Sequence, residues 1–197
     1  MTENKKEDKK VKEEIVFPFI EGNNIDLVAP NSKWINEVCA WSNDPRVRHY
    51  ARFEWPNTIE DVKKWFEPPP KKGVRIFIIF AMYHKKDKRP IGNVGFSDIN
   101  WLNRNANIFY TIGIPEYWGK GLVGEAAKLL INYGFNELNL HKIYAGVFDP
   151  NKRSLRATEK LGFKKEAILK EEIYVDGEYF DVHKFALFKR DWLNQNI

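Results

Sequence analysis

Cysteine is nearly absent from this 197-residue chain: Cys39 stands alone, so no internal disulfide can staple the fold. The four histidines, His49, His84, His141 and His183, are scattered without the spacing that zinc ligands need, and no metal is expected. No stretch of about 18 uncharged apolar residues is available to span a bilayer, so no membrane partner is expected. The opening residues MTENKKEDKKVKEE lack the apolar run of a secretory signal, which makes the cytoplasm the expected compartment. Internal repeats and interdomain linkers are also missing. The expected organisation is a disordered charged tail over residues 1–22 and one domain over residues 23–197.

What is present is an apolar content of 43% with 15% aromatic residues, enough for a packed core. The net charge is +5, from 32 basic and 27 acidic residues, and it does not come from the tail, where five lysines meet five acids. The excess sits further along, in Arg46, Arg48 and Arg52 and in the stretch holding Lys71, Lys72, Arg75, Lys85, Lys86, Lys88 and Arg89. Solvated turns, a polyanionic cofactor, or weak attraction to ribosomes or RNA all fit such an excess.

Periodicity predicts a strand over Asn24 to Ala29, then a helix capped at Ser32 carrying Trp34, Ile35, Val38 and Trp41, ended by Asn43-Asp44-Pro45. Thr58, with Asp61 three residues on, opens a second helix that Pro68-Pro69-Pro70 stops. Three antiparallel strands follow over Val74 to Tyr83, Ile91 to Trp101 and Asn107 to Ile114. A helix from Gly121 to Leu138 comes next, with Leu122, Ala126, Leu129, Leu130, Tyr133 and Phe135 as its buried side. Then come a strand over Lys142 to Phe148, a helix over Ser154 to Leu161 ended by Gly162, and a hairpin of Phe163 to Val175 and Glu178 to Phe188 about Asp176-Gly177. This order predicts an α/β (α+β) fold with a mixed, mostly antiparallel sheet and helices on both faces.

The most informative segment is IPEYWGKGLVGEAA, where Gly119, Gly121 and Gly124 lie between a strand and a helix. Free N–H groups at the start of such a helix, together with its positive dipole end, suit a phosphate-bearing ligand. The three glycines read as GxGxxG, yet Pro115 precedes them and no acid suited to a ribose follows at the proper distance; Asp149 comes about 28 residues after Gly121. A P-loop does not fit either.

With WSNDPRVRHY near the start, IPEYWGKGLVGEAAKLL in the middle and LNLHKIYAGVFDPNKRSLRATEKLGFKKEA after it, the chain resembles the GNAT superfamily of acetyl-CoA-dependent N-acetyltransferases. Within it the chain is similar to the ribosomal-protein N-terminal (RimJ/RimL-type) branch, from roughly Asn24 to Arg190. The superfamily's [QR]xxGx[GA] loop places Trp118 first, Gly121 at the central glycine and Val123 last, a departure at both outer positions. The resemblance implies acetyl-CoA as cosubstrate. Backbone from about Gly119 to Gly124, including Lys120 and Leu122, would cradle its diphosphate, and Thr111, Ile112, Gly113 and Ile114 would bond the pantetheine arm. Asn151 would contact the pantetheine, or cap a helix start.

For the chemistry, the resemblance implies direct attack of an amine on the thioester. The tyrosine that many members use as thiolate acid is replaced here by Thr158, and the branch's serine corresponds to Ser154, for which the alternative reading is a helix-start hydroxyl satisfying local backbone. The branch's acid aligns with Ile173, leaving Glu172 beside it and Glu171 two residues away. Glu171 shares the face of Ile173 unless a bulge intervenes. Either glutamate is a candidate base or a solvated strand residue. An α-amine costs roughly 1 kcal/mol to deprotonate at pH 7 and a lysine-like amine about 4.6 kcal/mol. A site without an evident base therefore favours a protein or peptide N-terminus as acceptor. The alternatives are a small amine (polyamine, amino acid or antibiotic) and a non-catalytic CoA-binding or ribosome-associated module, with nucleic acid met only indirectly through ribosomes. Arg46, Arg48, His49, Arg52 and Glu54 are expected on an acceptor-side loop.

Overall fold

The computed structural model describes residues 15–67 and 73–195. Its elements are β1 (Pro18–Ile20), β2 (Ile25–Val28), α1 (Ile35–Asn43), α2 (Pro45–Ala51), α3 (Ile59–Trp65), β3 (Ile78–His84), β4 (Arg89–Asn100) and β5 (Asn105–Ile112), then α4 (Leu122–Asn136), β6 (Lys142–Phe148), α5 (Lys152–Lys160), β7 (Lys164–Val175), β8 (Glu178–Phe188) and α6 (Lys189–Gln195). Short 3-10 turns at Ser32–Trp34 and Pro115–Tyr117 precede α1 and the glycine loop. All eight strands form one sheet in the order β1-β2-β3-β4-β5-β6-β8-β7. β5 and β6 run parallel, and every other neighbouring pair is antiparallel. That is the mixed sheet expected from the element order.

Several local expectations change. Asp44-Pro45 ends α1 but also starts α2: the Asp44 side chain accepts from the Arg46 N–H, and Pro45 sits at the first helical position, where no N–H is needed. The acceptor-side loop is therefore largely a helix. Asn31, not Ser32, caps the first turn. The Thr58–Asp61 capping box is present and starts α3. Pro18–Ile20 is a strand, so ordered structure begins inside the segment assigned to the tail; residues 1–14 of that segment lie outside the described residues, as do Pro68, Pro69, Pro70, Lys71 and Lys72. The Asp176-Gly177 turn has φ of 52° and 92°, both positive as a type I′ turn requires.

The main core lies between the sheet and α4. Leu122, Ala126, Ala127, Leu130, Ile131 and Phe135 are buried there with Phe96, Ile108 and Ile143. Burial of each large apolar side chain is worth about 1.5–3 kcal/mol, so packing fixes where the first turn of α4 points. Leu129 and Tyr133, expected in the core, lie only partly buried at its margin. On the opposite face Val28, Ala81 and Trp34 form a smaller cluster beneath the turn leading into α1. No helix among the described residues is long and apolar enough to cross a membrane.

Candidate active site

The site arises where the sheet fails to close. β5 and β6 pair only at Asn105–Lys142, Ala106–Ile143 and Asn107–Tyr144, while β5 stays paired with β4 as far as Ile112 and β6 with β8 as far as Phe148. Beyond Asn107 and Tyr144 the two strands splay apart. A cavity of about 1440 Å³ opens between them, lined by Ile108 to Ile112 on one side and Tyr144 to Phe148 on the other. It exceeds the roughly 300–1,000 Å³ usual for one small ligand, which suits a long cosubstrate together with an acceptor.

At one end lies the start of α4. Gly119 and Gly121 adopt φ of 76° and 78°, and Gly121 has no side chain to cap the helix. A Cβ added at Gly119, Gly121 or Gly124 would meet no atom within 4 Å, so this space is left for a ligand. Unpaired N–H groups of the first turn and the positive helix end suit a diphosphate. The loop is held from outside: the Trp118 indole donates to the Ile112 carbonyl at 3.0 Å, and Tyr117 donates to Asp87 at 2.5 Å. The Tyr117 hydrogen bond keeps the Asp87 carboxyl below its ordinary value and pushes the phenol up.

Charge supports an anionic ligand. Arg52, Lys128, Arg153, Arg156, Lys160 and Lys184 line the cavity, against Asp98 and Glu125 as its acids. Glu125 is already engaged by the Asn24 side chain and the N–H groups of Asn24 and Ile25. The Arg153 guanidinium lies 4.1 Å from the Trp118 ring centre and 5.7 Å from that of Tyr50. Among the described residues no three His, Cys, Asp or Glu side chains gather as a metal site.

Of the residues singled out for the cosubstrate, Thr111, Ile112, Trp118, Gly119, Gly121, Leu122, Val123, Gly124, Asn151 and Ser154 line the cavity. Three do not. The Gly113 N–H is tied to the Ile91 carbonyl, and a Cβ there would strike the Trp41 ring at 2.1 Å; Ile114 packs on the core; Lys120 is exposed over the Tyr117 ring. The Asn151 side chain accepts from the Ser154 N–H at 3.1 Å, so it caps α5 while facing the cavity.

Glu171 and Glu172 are displaced. The register of β7 slips between Leu169–Val182 and Ile173–Phe180, leaving Lys170, Glu171 and Glu172 opposite Asp181 alone. Glu171 takes φ of 50° and its N–H donates to Asp181, as does Lys170 through its ammonium at 2.7 Å. Both glutamates are exposed and outside the cavity lining, whereas Ile173 faces it. The expected face shared by Glu171 and Ile173 is lost to this bulge.

Sequence reasoning passed over Tyr110. Its hydroxyl lies 3.3 Å from Ser154 Oγ and 3.0 Å from Thr158 Oγ1, across from β5 to α5. Tyr110 stands in the strand-like run NANIFYTIGI, whose alternation carries no polar pattern that sets one aromatic apart. The available signal was that a buried phenol needs a polar partner. Arg153, Arg156 and Lys160 were also missed, although their spacing along one helix was readable.

A family model described as an acetyltransferase (GNAT) domain matches residues 25–164. The chain is 30% identical over 180 residues to the uncharacterised N-acetyltransferase YoaA of Bacillus subtilis, covering 88% of this chain and 98% of that one. It is 32% identical over 150 residues to the spermidine N(1)-acetyltransferase of Escherichia coli K12, covering 71% and 80%. Among solved structures, the spermidine N-acetyltransferase of Vibrio cholerae in complex with CoA and spermine superposes with a TM-score of 0.76 at 27% identity, over 87% of this chain and 99% of that one.

Proposed function

Because the chain belongs to the GNAT acetyltransferase family and is an acetyl-CoA-dependent N-acetyltransferase, we propose that its acceptor is the primary amine of a small molecule, with polyamines of the spermidine class as the leading candidates. The observation that supports acetyl transfer here is the open seam between β5 and β6, with a glycine cradle at one end and Ser154 at its side, and the likeness to spermidine acetyltransferases supports the acceptor class. In it the Gly119–Gly124 backbone, helped by Arg156 and Lys160, would hold the phosphates, and the free edges of β5 and β6 would hold the pantetheine arm.

Two further features favour a slender acceptor. α2 and the β7–β8 hairpin approach each other over the cavity: Arg52 donates to the Tyr174 carbonyl at 3.1 Å and His49 lies 3.5 Å from Asp176. Tyr50, Phe109, Tyr144 and Phe148 line the space with Asp98, and aromatic faces together with one carboxylate can hold an ammonium chain. A protein N-terminus, expected from the ribosomal-protein branch, is less well supported. The likeness to spermidine acetyltransferases points instead to the small amine.

The test is thiol release from acetyl-CoA with spermidine, spermine, amino acids, an aminoglycoside and N-terminal peptides. Mass spectrometry of the products completes it. Acetylated polyamine is the expected result. Release with peptides alone would restore the protein acceptor, and CoA binding without release would leave a non-catalytic module. Among the described residues Asp98 and Glu125 are the carboxylates that line the cavity, and Glu125 is already hydrogen-bonded, so kcat/KM should rise with pH until the acceptor amine is neutral.

A further inference from the structure

We propose that Tyr110 is the proton source behind Ser154 when the thiol departs, a role that rests on the acetyltransferase reading above. The phenol bridges two hydroxyls of one helix, at 3.3 Å from Ser154 Oγ and 3.0 Å from Thr158 Oγ1. Ser154 and Thr158 stand four residues apart, so both project from the same side of α5. Ser154 and Tyr110 line the cavity, whereas Thr158 is 2% exposed and lies behind them. The three groups run in order from cavity to interior: serine, phenol, threonine.

This order matters because serine alone is a poor acid. An aliphatic hydroxyl can hydrogen-bond a departing thiolate but holds its proton too tightly to give it up unaided. Tyrosine phenols ionise near pH 10 and thiols near 8.5, so a phenol is within about two units of the sulfur it must serve. The step balances as follows. The amine nitrogen forms a C–N bond to the acetyl carbon, and the C–S bond breaks with its electron pair left on sulfur. Sulfur takes the Ser154 proton while Ser154 Oγ takes the phenol proton of Tyr110. Thr158 then donates a hydrogen bond to the phenolate until water returns a proton to it, and the surplus proton on the new amide nitrogen leaves to water. Tyr110 acts through Ser154 and is a positioning and proton-supplying residue, placed on β5 across from Ser154 and Thr158 of α5.

The experiment compares the full-length wild-type protein with Tyr110→Phe, Ser154→Ala and the double variant. Kinetics are measured over pH 6–10, and CoA affinity by calorimetry. Tyr110→Phe is expected to lower kcat about 100-fold, the lower end of the range for a general acid, with CoA affinity changed less than about twofold. The double variant should lose no more than Ser154→Ala alone, since two members of one relay are not additive. Replacing Tyr110 by 3-fluorotyrosine, a more acidic phenol of nearly the same shape, should move the alkaline limb of kcat to lower pH. A Tyr110→Phe enzyme within about threefold of wild type overturns the relay, as do multiplying losses in the double variant, a kcat loss matched by lost CoA affinity, or an unmoved alkaline limb. Wild-type protein that binds CoA but releases no thiol with any amine overturns the acetyltransferase reading itself. That result is distinct from an active enzyme indifferent to position 110.

Discussion

At the scale of single residues, Gly124 separates what the fold needs from what the ligand needs. It lies in the first turn of α4, and a Cβ there meets no protein atom within 4 Å. Gly124→Ala should therefore fold, and should gain about 0.5–1 kcal/mol from helix propensity. The added methyl would occupy the space proposed for the diphosphate, so CoA affinity should fall by about tenfold or more, a loss near 1.4 kcal/mol. Thermal melting and calorimetry on the same samples check both signs. Unchanged affinity would place the phosphates elsewhere. Gly121→Ala is the contrasting case, because φ of 78° strains any side chain and stability should fall with affinity.

Elements explain why that turn stays in place. Glu125 reaches from α4 to the start of β2, accepting from the Asn24 and Ile25 N–H groups at 2.7 and 3.2 Å and from the Asn24 side chain at 2.9 Å. Burial pushes its carboxyl up, but these hydrogen bonds outweigh burial and hold it below its ordinary value of 4.5. A lowered folded pKa means that the stabilisation is fully present above the unfolded value and is lost as pH falls through the folded one. Glu125→Gln should cost about 1–2 kcal/mol at pH 7. The gap from wild type should narrow below about pH 4.5. Urea midpoints across pH 3–7 measure this, and a constant gap would mean that charge is irrelevant to the tether. Much of this scale was legible in the sequence. Thr58–Asp61, Asp176-Gly177 and the glycines before α4 act through neighbours a few residues away, so their local pattern carries them. Asp44-Pro45 was read only as a stop because the same two residues both end one helix and start the next. The β7 bulge has no glycine or asparagine to announce it, and it arises from pairing of Lys170 and the Glu171 N–H with Asp181 ten or eleven residues away.

Across the whole molecule, the cavity is assembled from segments that only the sheet order brings together. β8 lies between β6 and β7, so the final hairpin returns beside α2, over 100 residues distant in sequence. No local pattern encodes that approach, which is why Arg52 was read as an acceptor-loop cation rather than as a clasp. Arg52 sits in left-handed conformation at φ of 59° at the end of α2, and its Nη2 donates to the Tyr174 carbonyl at 3.1 Å and to Glu54 at 3.2 Å. Its conformation costs on the order of 1 kcal/mol, so Arg52→Gly relieves strain while removing the clasp, whereas Arg52→Met keeps the strain and the packing but loses the donors. If the clasp shapes the acceptor side, both variants should raise the acceptor KM several-fold and leave the acetyl-CoA KM within about twofold, because only uniform binding of one substrate is lost. Arg52→Gly should be the more stable of the two by up to about 1 kcal/mol. An acetyl-CoA KM that rises in step with the acceptor KM would show instead that α2 and the hairpin support the cosubstrate seam as a unit, and that the two substrates do not meet separate walls.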